Sequence, residues 1–346
     1  MPRRRGRAVG VALIALVLLL AGAAGVGYAW LRQETIAPGP SKTPVRIQVE
    51  QGASVRSILT HLGSAGVVRN ATAVKLYLRI TGQKLRIQIG RYEIPAGASP
   101  AEILTMFDQG RVLLDSLTIV EGTTFADLRH ALDHDLEVTH TLLGKSDAEV
   151  MASIGHRDEA PEGRFFPDTY RFADKTTDAQ ILTLAYNAMQ HALAAAWQSR
   201  RPDLPYDDSY QALILASIVE KETGLPAERP RIAGVFVSRL RRGMRLQSDP
   251  TVIYGLGAGY DGEIHTRDLT TDTPYNTYTR NGLPPTPIAL PGRESLLAVA
   301  QPQESGELYF VATGTGDGGH HFSRTLEEHN AAVKSYLEHL RSQQQR

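Results

Sequence analysis

Cysteine is absent from the 346 residues of this chain. The chain therefore has neither disulfide bonds nor thiolate metal sites, and its core alone must stabilise the fold. Neither sign of charge is in excess, since 37 basic residues are matched by 37 acidic ones. A nucleic-acid partner would require a basic surface, so this balance argues against one.

Three common catalytic motifs are also missing. There is no His-Glu-x-x-His zinc pattern, and His320 and His321 are adjacent rather than spaced along one helix face. The sequence has neither a Gly-x-Ser-x-Gly elbow nor a phosphate loop ending in Lys-Ser or Lys-Thr. These absences disfavour metal-dependent and serine hydrolysis, and we expect no metal or other cofactor.

One long uncharged run is present near the N-terminus. Residues 8–31 carry no charged side chain, and a helix of that length spans a hydrocarbon core of about 30 Å. Four arginines lie within residues 3–7, and positive charge stays on the cytoplasmic side. Tyr28 and Trp30 fall at the outer end, where amphipathic rings favour the headgroup layer. We predict a single-pass anchor in the cytoplasmic (inner) membrane, with residues 1–7 as a cytoplasmic tail and the body in the periplasm or outside the cell.

A cleaved signal peptide is the alternative interpretation of this run. Ala21-Gly22-Ala23 resembles a small-residue cleavage site. The apolar core of a signal peptide is usually about 7–15 residues long, and this run is longer, which favours the anchor.

The segment after the run is predicted to form a linker and then a small α+β module. Residues 32–43 are rich in proline and glycine, as in a linker. Residues 44–115 form the module, with strands over 45–49 and 87–94 and helices over 55–62, 71–81 and 99–109. The order strand, helix, helix, strand resembles a LysM-type module, which binds N-acetylated glycans. A spacer without a ligand accounts for the pattern equally well.

Residues 116–341 are predicted to form a larger α+β domain. Its first strand covers 116–120, and its later elements are helices over 123–133, 138–143, 177–200, 208–224 and 229–241, a long region rich in glycine, proline and tyrosine over 243–291, a helix over 295–300, a strand over 308–312 and a helix over 325–341. The fold class of the whole chain is therefore α+β, with a transmembrane helix at the N-terminus.

The helix that begins after Asp208 is the first candidate for catalysis. Residues 213–219 are apolar on nearly every face, as in a helix buried within a domain. The helix then ends in Glu220-Lys221-Glu222. A carboxylate at the mouth of a buried helix is partly desolvated, which raises its pKa and suits a general acid. The alternative is that these charges mark where the helix reaches water.

Helix geometry does not choose between the two glutamates. Residues two apart on a helix point about 200° away from each other. Each of Glu220 and Glu222 also has apolar neighbours one turn back. The residues alone leave this choice open.

Several motifs, in one order, are similar to the YceG/MltG family of endolytic lytic transglycosylases of bacterial peptidoglycan. They are Glu220-Lys221-Glu222-Thr223, the stretch 244–254, Tyr275-Asn276-Thr277-Tyr278, Gly282-Leu283-Pro284-Pro285, Gly319-His320 followed by Phe322, and His329-Asn330. The likeness covers most of residues 116–336, and the anchor and LysM-like module also fit. In that family the first glutamate of the Glu-Lys-Glu-Thr motif is catalytic, which implies Glu220.

The resemblance implies cleavage between N-acetylmuramic acid and N-acetylglucosamine with formation of 1,6-anhydro ends, which would terminate the growth of nascent strands. Peptidoglycan strands are then the substrate, and peptidoglycan synthases at the same membrane are expected partners. Six polar or aromatic residues are our candidates for lining the glycan groove: Gln247, Asp249, Tyr254, Asn276, Tyr278 and His320. Asp249 has an alternative role as a helix cap before Pro250, and His320 as a loop residue packed on Phe322.

Two rival functions remain open at this point. The first is a hydrolytic muramidase that uses Asp249 or Glu222 as a second carboxylate. The second is a non-catalytic, membrane-tethered protein that binds glycan or serves as a scaffold in cell-wall synthesis. Such a binder would retain glycan strands without shortening them.

Overall fold

The structure is a computed structural model that describes residues 3–344, with side chains from Val9 to Arg341. The predicted cytoplasmic tail lies partly outside the described residues. The chain divides into two compact units. The first extends to Asp115 and includes Phe172–Asp174, and the second comprises Ser116–Arg171 and the chain from Lys175 onward.

The first unit contains the apolar helix and the predicted α+β module. Its elements are α1 (Arg3–Ile36), β1 (Val45–Val49), α2 (Val55–Ser64), α3 (Ala71–Thr81), β2 (Gly90–Ile94) and α4 (Pro100–Asp108). The two strands pair antiparallel, with Val45 opposite Ile94 and Val49 opposite Gly90. The predicted order of elements is confirmed, although the second strand is shorter than predicted.

Capping side chains fix where the module's helices begin. The Ser54 hydroxyl caps α2 by accepting a hydrogen bond from the Ser57 N–H at 3.1 Å. Ser99 and Glu102 form a reciprocal capping box before Pro100, the first residue of α4. Between the helices and the sheet, the rings of Tyr92 and Phe107 pack edge to face with centroids 4.7 Å apart.

Helix α1 is long and apolar enough to cross a membrane. The most apolar 18-residue window of its segment Val9–Ile36 has a mean hydropathy of 2.7, and this window is not buried against the rest of the protein. The helix continues into the predicted linker and ends before Pro38, because the residue before a proline disfavours helical backbone. Leu31 and Thr35, near its end, are buried.

The remaining part of the chain is a mixed α+β assembly around one central helix. Its elements are β3 (Asp115–Thr118), α5 (Phe125–His134), α6 (Asp147–Ser153), β4 (Thr169–Phe172), α7 (Asp178–Gln198), α8 (Ser209–Glu222), α9 (Arg229–Arg241), α10 (Asp249–Leu256), α11 (Thr266–Thr270), α12 (Arg293–Ala300), β5 (Tyr309–Ala312), β6 (His320–Ser323) and α13 (Leu326–Gln344). β3 pairs with β4, and β5 pairs antiparallel with β6.

Helix α8 is the centre of the second unit, as its apolar pattern predicts. Every residue from 212 to 220 is buried, and the helix packs against α7, α9, α10 and α12. The Asp208 carboxylate caps its start by accepting from the Gln211 N–H at 2.8 Å. It ends at Glu222, two residues before the predicted stop at Gly224, because Thr223 is already extended.

The predicted helix over 138–143 is wrong. Thr139 forms an isolated parallel bridge with Thr177. The Asp178 carboxylate accepts hydrogen bonds from the N–H groups of Thr141 and Leu142, both at 2.9 Å. A side chain from a distant part of the sequence thus takes the donors that a local helix would have used. The elements α6, β4, α10, α11 and β6 were not predicted from the sequence.

Candidate active site

Glu220 lies at the buried end of α8 with both carboxylate oxygens occupied. Its Oε1 accepts a hydrogen bond from Arg229 Nη2 at 2.8 Å, and its Oε2 accepts one from the Gly292 N–H at 2.9 Å. The Glu220 side chain is only 4% exposed. A buried carboxylate needs a charge partner of this kind, and the start of α9 supplies it.

A second carboxylate shares the same guanidinium. Glu121 Oε2 lies 3.8 Å from Arg229 Nη2, and 48% of the Glu121 side chain is exposed. Partial burial and the neighbouring Glu220 raise the pKa of Glu121, while Arg229 lowers it. Gly292 lies close to both groups, and a Cβ added there would require the half-exposed Glu121 side chain to move.

Glu222 points to a different environment from Glu220, as the predicted angle between them requires. Its Oε1 accepts a hydrogen bond from Ser248 Oγ at 2.5 Å. Burial raises the pKa of Glu222 to about 7, against the opposite effect of the Ser248 hydrogen bond. Both glutamates of the motif are therefore chemically distinctive, one as half of an ion pair and the other as a carboxyl that holds its proton up to neutral pH.

Three of the predicted groove residues lie near Glu222. The Tyr278 hydroxyl donates to Asp249 Oδ1 at 2.5 Å. The charge of Asp249 raises the pKa of Glu222, and the charge of Glu222 raises the pKa of Tyr278. Gln247 has a φ of +52°, which is unusual for a residue with a side chain. Its side chain is exposed, and backbone strain of this kind is concentrated at functional sites.

Asn276 supports the loop rather than facing a groove. The residue is 1% exposed. Its Nδ2 donates to the carbonyl oxygens of Thr271 and Asp268 at 2.7 and 3.0 Å, and its Oδ1 accepts from the Tyr278 N–H at 2.8 Å. The amide therefore holds the backbone on which Tyr278 is presented.

His320 contacts Glu228, the residue next to Arg229 of the Glu220–Arg229 ion pair. Its Nδ1 is 2.7 Å from Glu228 Oε2, and its backbone N–H donates to Glu228 Oε1 at 3.0 Å. Glu228 directly precedes Arg229 in the chain. The His320 ring also packs edge to face on Phe322, as in the alternative role considered for it, and on Phe310.

Tyr254 lines a separate cavity of about 930 Å³. The cavity wall includes Phe125, Glu162, Tyr254, Tyr260 and Tyr275. Glu162 is 6% exposed and accepts hydrogen bonds from the Phe125 N–H at 3.0 Å and the Tyr254 hydroxyl at 3.1 Å. Burial raises the pKa of Glu162 to about 7, although both hydrogen bonds act against the shift.

Sequence reasoning missed Glu121 and Glu162. Each is followed by a glycine with positive φ, +75° at Gly122 and +78° at Gly163. In the sequence, the Glu-Gly pairs at 121–122 and 162–163 were the available signal, because glycine favours the turn that each pair forms. Within residues 9–341 no three His, Asp or Glu side chains form a group that could hold a metal ion.

Comparisons with known proteins agree with the motifs. Residues 47–335 match the YceG-like family. A Bacillus subtilis (strain 168) protein named endolytic murein transglycosylase is 30% identical over 315 residues, covering 86% of each chain. A protein of the same name from Streptococcus pneumoniae serotype 2 is 26% identical, covering 94% of this chain and 64% of its own.

A solved structure extends the likeness to the fold. The crystal structure of a yceG-like protein from Listeria monocytogenes is 30% identical and superposes with a TM-score of 0.53, covering 84% of this chain and 99% of that one. The family match spans both units of the chain, including α8 and its two glutamates. This chain belongs to the YceG-like family.

Proposed function

We propose that this protein is an endolytic murein transglycosylase that cuts nascent peptidoglycan strands between N-acetylmuramic acid and N-acetylglucosamine and leaves 1,6-anhydro ends. The observation that carries the proposal is Glu220, a carboxyl at the end of a buried helix, held by Arg229 and the Gly292 N–H. The names of the relatives from Bacillus subtilis and Streptococcus pneumoniae support the reaction class.

In the proposed reaction Glu220 acts first as an acid and then as a base. Protonated Glu220 gives its proton to the glycosidic oxygen as the bond from that oxygen to C1 of the muramic acid breaks. The C6 hydroxyl oxygen of the same sugar bonds to C1, and its proton passes to Glu220, which restores the acid. Because both Glu220 oxygens accept hydrogen bonds in the free protein, one of these contacts must give way to the substrate.

Arg229 and Gly292 have a positioning role in this scheme. The guanidinium and the backbone N–H fix the plane of the carboxyl group, and preorganised donors of this kind stabilise charge as it develops. His320 contacts the carboxylate of Glu228, which directly precedes Arg229 in the chain. We therefore assign His320 to positioning the counter-ion, and Asn276 to supporting the loop.

The proposed groove uses the other predicted residues. Gln247, Asp249 and Tyr278 line its side near Glu222, and Tyr254 lines the cavity beside Glu162. Tyrosine rings and amide or carboxylate groups are suited to stack on sugar rings and bind their hydroxyls. Glu162, which was not predicted from the sequence, would orient the Tyr254 hydroxyl toward the cavity wall.

A hydrolytic muramidase is the second candidate, favoured by Glu121. Most glycosidases need two carboxyl groups, one as acid and one to activate water or to form a covalent intermediate. Glu121 shares Arg229 with Glu220 and is half-exposed. It is a better second carboxylate than Glu222 or Asp249, which lie together on another side of α8.

The membrane placement and the role of the first unit complete the proposal. Helix α1 would anchor the protein once in the cytoplasmic membrane, with the N-terminus in the cytoplasm and the catalytic unit outside. The strand–helix–helix–strand module would act as a LysM-like glycan-binding module. Because the anchor holds the enzyme where strands emerge, peptidoglycan synthases are the proposed protein partners.

The test of the site compares two matched variants, Glu220→Gln and Glu222→Gln. Each replaces one carboxyl group of α8 by an amide of the same shape. Purified glycan strands are incubated with each protein, and the strand length is measured. We expect Glu220→Gln to lose cleavage with its fold unchanged by circular dichroism, and Glu222→Gln to retain it. Cleavage by Glu220→Gln together with loss in Glu222→Gln would move the catalytic role to Glu222.

A further inference from the structure

The first unit contains a long stretch with only positive charge. Residues 51–92 include seven lysines and arginines and no aspartate or glutamate, although the whole chain has a net charge of zero. Three of these cations, Arg56, Lys75 and Arg79, line one shallow groove between α2 and α3. These three side chains form a local cationic surface, whereas Arg91 of the same stretch is paired with Asp115.

Helix α3 combines this charge with exposed apolar side chains. Leu76 is 46% exposed and Ile80 is 56% exposed. They lie one turn apart and so share one side of the helix. The opposite side is occupied by Val74 and Leu78, which are buried in the module's core. Apolar side chains with flanking cations are typical of a helix that lies in a membrane interface.

The position of α3 along α1 gives the depth at which these side chains lie. The twenty residues from Val9 to Tyr28 form about 30 Å of helix, the thickness of a hydrocarbon core. The ring of Tyr28 lies against that of Tyr77 on α3, with centroids 6.0 Å apart, and α1 packs against both α3 and α4. Helix α3 is thus fixed to α1 at the level where α1 leaves the hydrocarbon core.

We propose that α3 is an interfacial helix that binds the bilayer surface beside the anchor, with Leu76 and Ile80 among the outer acyl carbons and Arg56, Lys75 and Arg79 against anionic lipid headgroups. Lys75 and Arg79 carry long apolar stems that allow their charged ends to reach the headgroups. The first unit would then lie on the membrane rather than hang from it on a flexible stem. This inference rests on the proposed membrane anchoring by α1 and does not depend on the proposed enzymatic activity.

The absence of cysteine makes this proposal directly measurable. Single-cysteine variants of the full chain, each labelled with an environment-sensitive fluorophore, are reconstituted in vesicles of phosphatidylethanolamine and phosphatidylglycerol. The test position is Ile80→Cys. Leu19→Cys in the middle of α1 serves as the buried reference, and Arg46→Cys on β1, whose side chain is 72% exposed, serves as the aqueous one.

The proposal predicts that the label at position 80 is quenched by lipids brominated near the headgroup and protected from acrylamide in water. The label at position 19 should be quenched by deeply brominated lipids, and the label at position 46 by acrylamide alone. A label at position 80 that behaves like the one at position 46 would overturn the proposal. Protection from both quenchers would also overturn it, because it would mean that protein covers α3.

The charge contribution is tested separately with the double variant Arg56→Gln, Arg79→Gln. In the parent protein, replacing phosphatidylglycerol by phosphatidylcholine should weaken lipid quenching at position 80 at least twofold. The double variant should respond much less to this change of lipid. An unchanged response in the variant, or no response in the parent, would contradict a role for anionic headgroups.

Discussion

At the scale of single residues, three buried or partly buried carboxyl groups of the second unit have two kinds of hydrogen-bonding partners. Glu220 has a guanidinium and a backbone N–H as partners. Glu162 and Glu222 have only neutral donors, and burial raises the pKa of each to about 7. The two donors hold the Glu220 carboxyl in place until the substrate displaces one of them, as the proposed reaction requires. The neutral environments of Glu162 and Glu222 suit groups that keep a proton near physiological pH.

The raised pKa of Glu162 makes the stability of the second unit depend on pH. The unfolded chain releases this proton near pH 4.5 and the folded chain only near 7. Between these values the folded state binds more protons, so the free energy of unfolding falls as pH rises, by about 3 kcal/mol in all, and is flat above. Glu162→Gln should remove this contribution, seen as a smaller loss of stability between pH 5 and pH 7.5.

The measurement is denaturant unfolding in detergent, followed by the fluorescence of Trp197, with Trp30 replaced by phenylalanine so that only the second unit is reported. The control is Glu93→Gln, an exposed residue paired with Arg46 in the first unit. An equal pH dependence in Glu162→Gln and the parent protein would show that Glu162 titrates normally.

At the scale of elements, packing around α8 decides how the site is built. Helix α9 provides Arg229 at its start. Gly234 lies five residues farther along the same helix, where the backbone of Gln303 passes very close to it. A Cβ at Gly234 would lie 2.1 Å from the backbone oxygen of Gln303. The close approach fixes α9, and therefore Arg229, against the segment that follows α12.

Gly234→Ala should destabilise the second unit even though alanine is the better helix former. The gain in helix propensity is about 1 kcal/mol, while overpacking against a backbone atom costs about 1–3 kcal/mol or more. We expect a lower melting temperature and reduced cleavage, because Arg229 moves with the helix. Gly259→Ala is the matched control, since nothing lies within 4 Å of its added Cβ. Equal melting temperatures for the two variants would refute the packing argument.

The elements show why part of the site could be predicted from the sequence and part could not. The apolar run before Glu220 predicts a buried helix, and the separation of Glu220 from Glu222 follows from helix geometry alone. The partners of Glu220 could not be predicted, since Gly292 is 72 residues away along the chain. The wrong helix over 138–143 has the same cause, a long-range contact from Asp178 that outweighs local preference.

At the scale of the whole molecule, the apolar helix α1 and the α+β module of the first unit are continuous. Helix α1 extends through residues 32–36, which the sequence predicts as linker, and Leu31 and Thr35 are buried. The last turns of α1 therefore belong to the module as well as to the candidate membrane-spanning helix. A soluble form of the protein should begin no later than residue 28 if it is to keep this packing.

Releasing the protein from the membrane should separate its activity from its role in cells. A form that begins at residue 28, exported by a cleavable signal peptide, should cleave purified strands as the full chain does. Under the proposed anchoring by α1, it should fail to replace the full chain in cells, because the proposed groove is then no longer held at the membrane. Strand-length distributions of isolated cell walls give the readout. Full replacement by the released form would mean that the tether is incidental.

The central claim is that one carboxyl group, Glu220, cuts glycan strands by using the substrate's own C6 hydroxyl. The most direct test is the mass of the products when purified strands are digested by the full chain. The account predicts fragments with 1,6-anhydro-N-acetylmuramic acid ends, one water lighter than hydrolysis products. Fragments with ordinary reducing ends would contradict it and would favour a hydrolase that uses Glu121 as its second carboxylate.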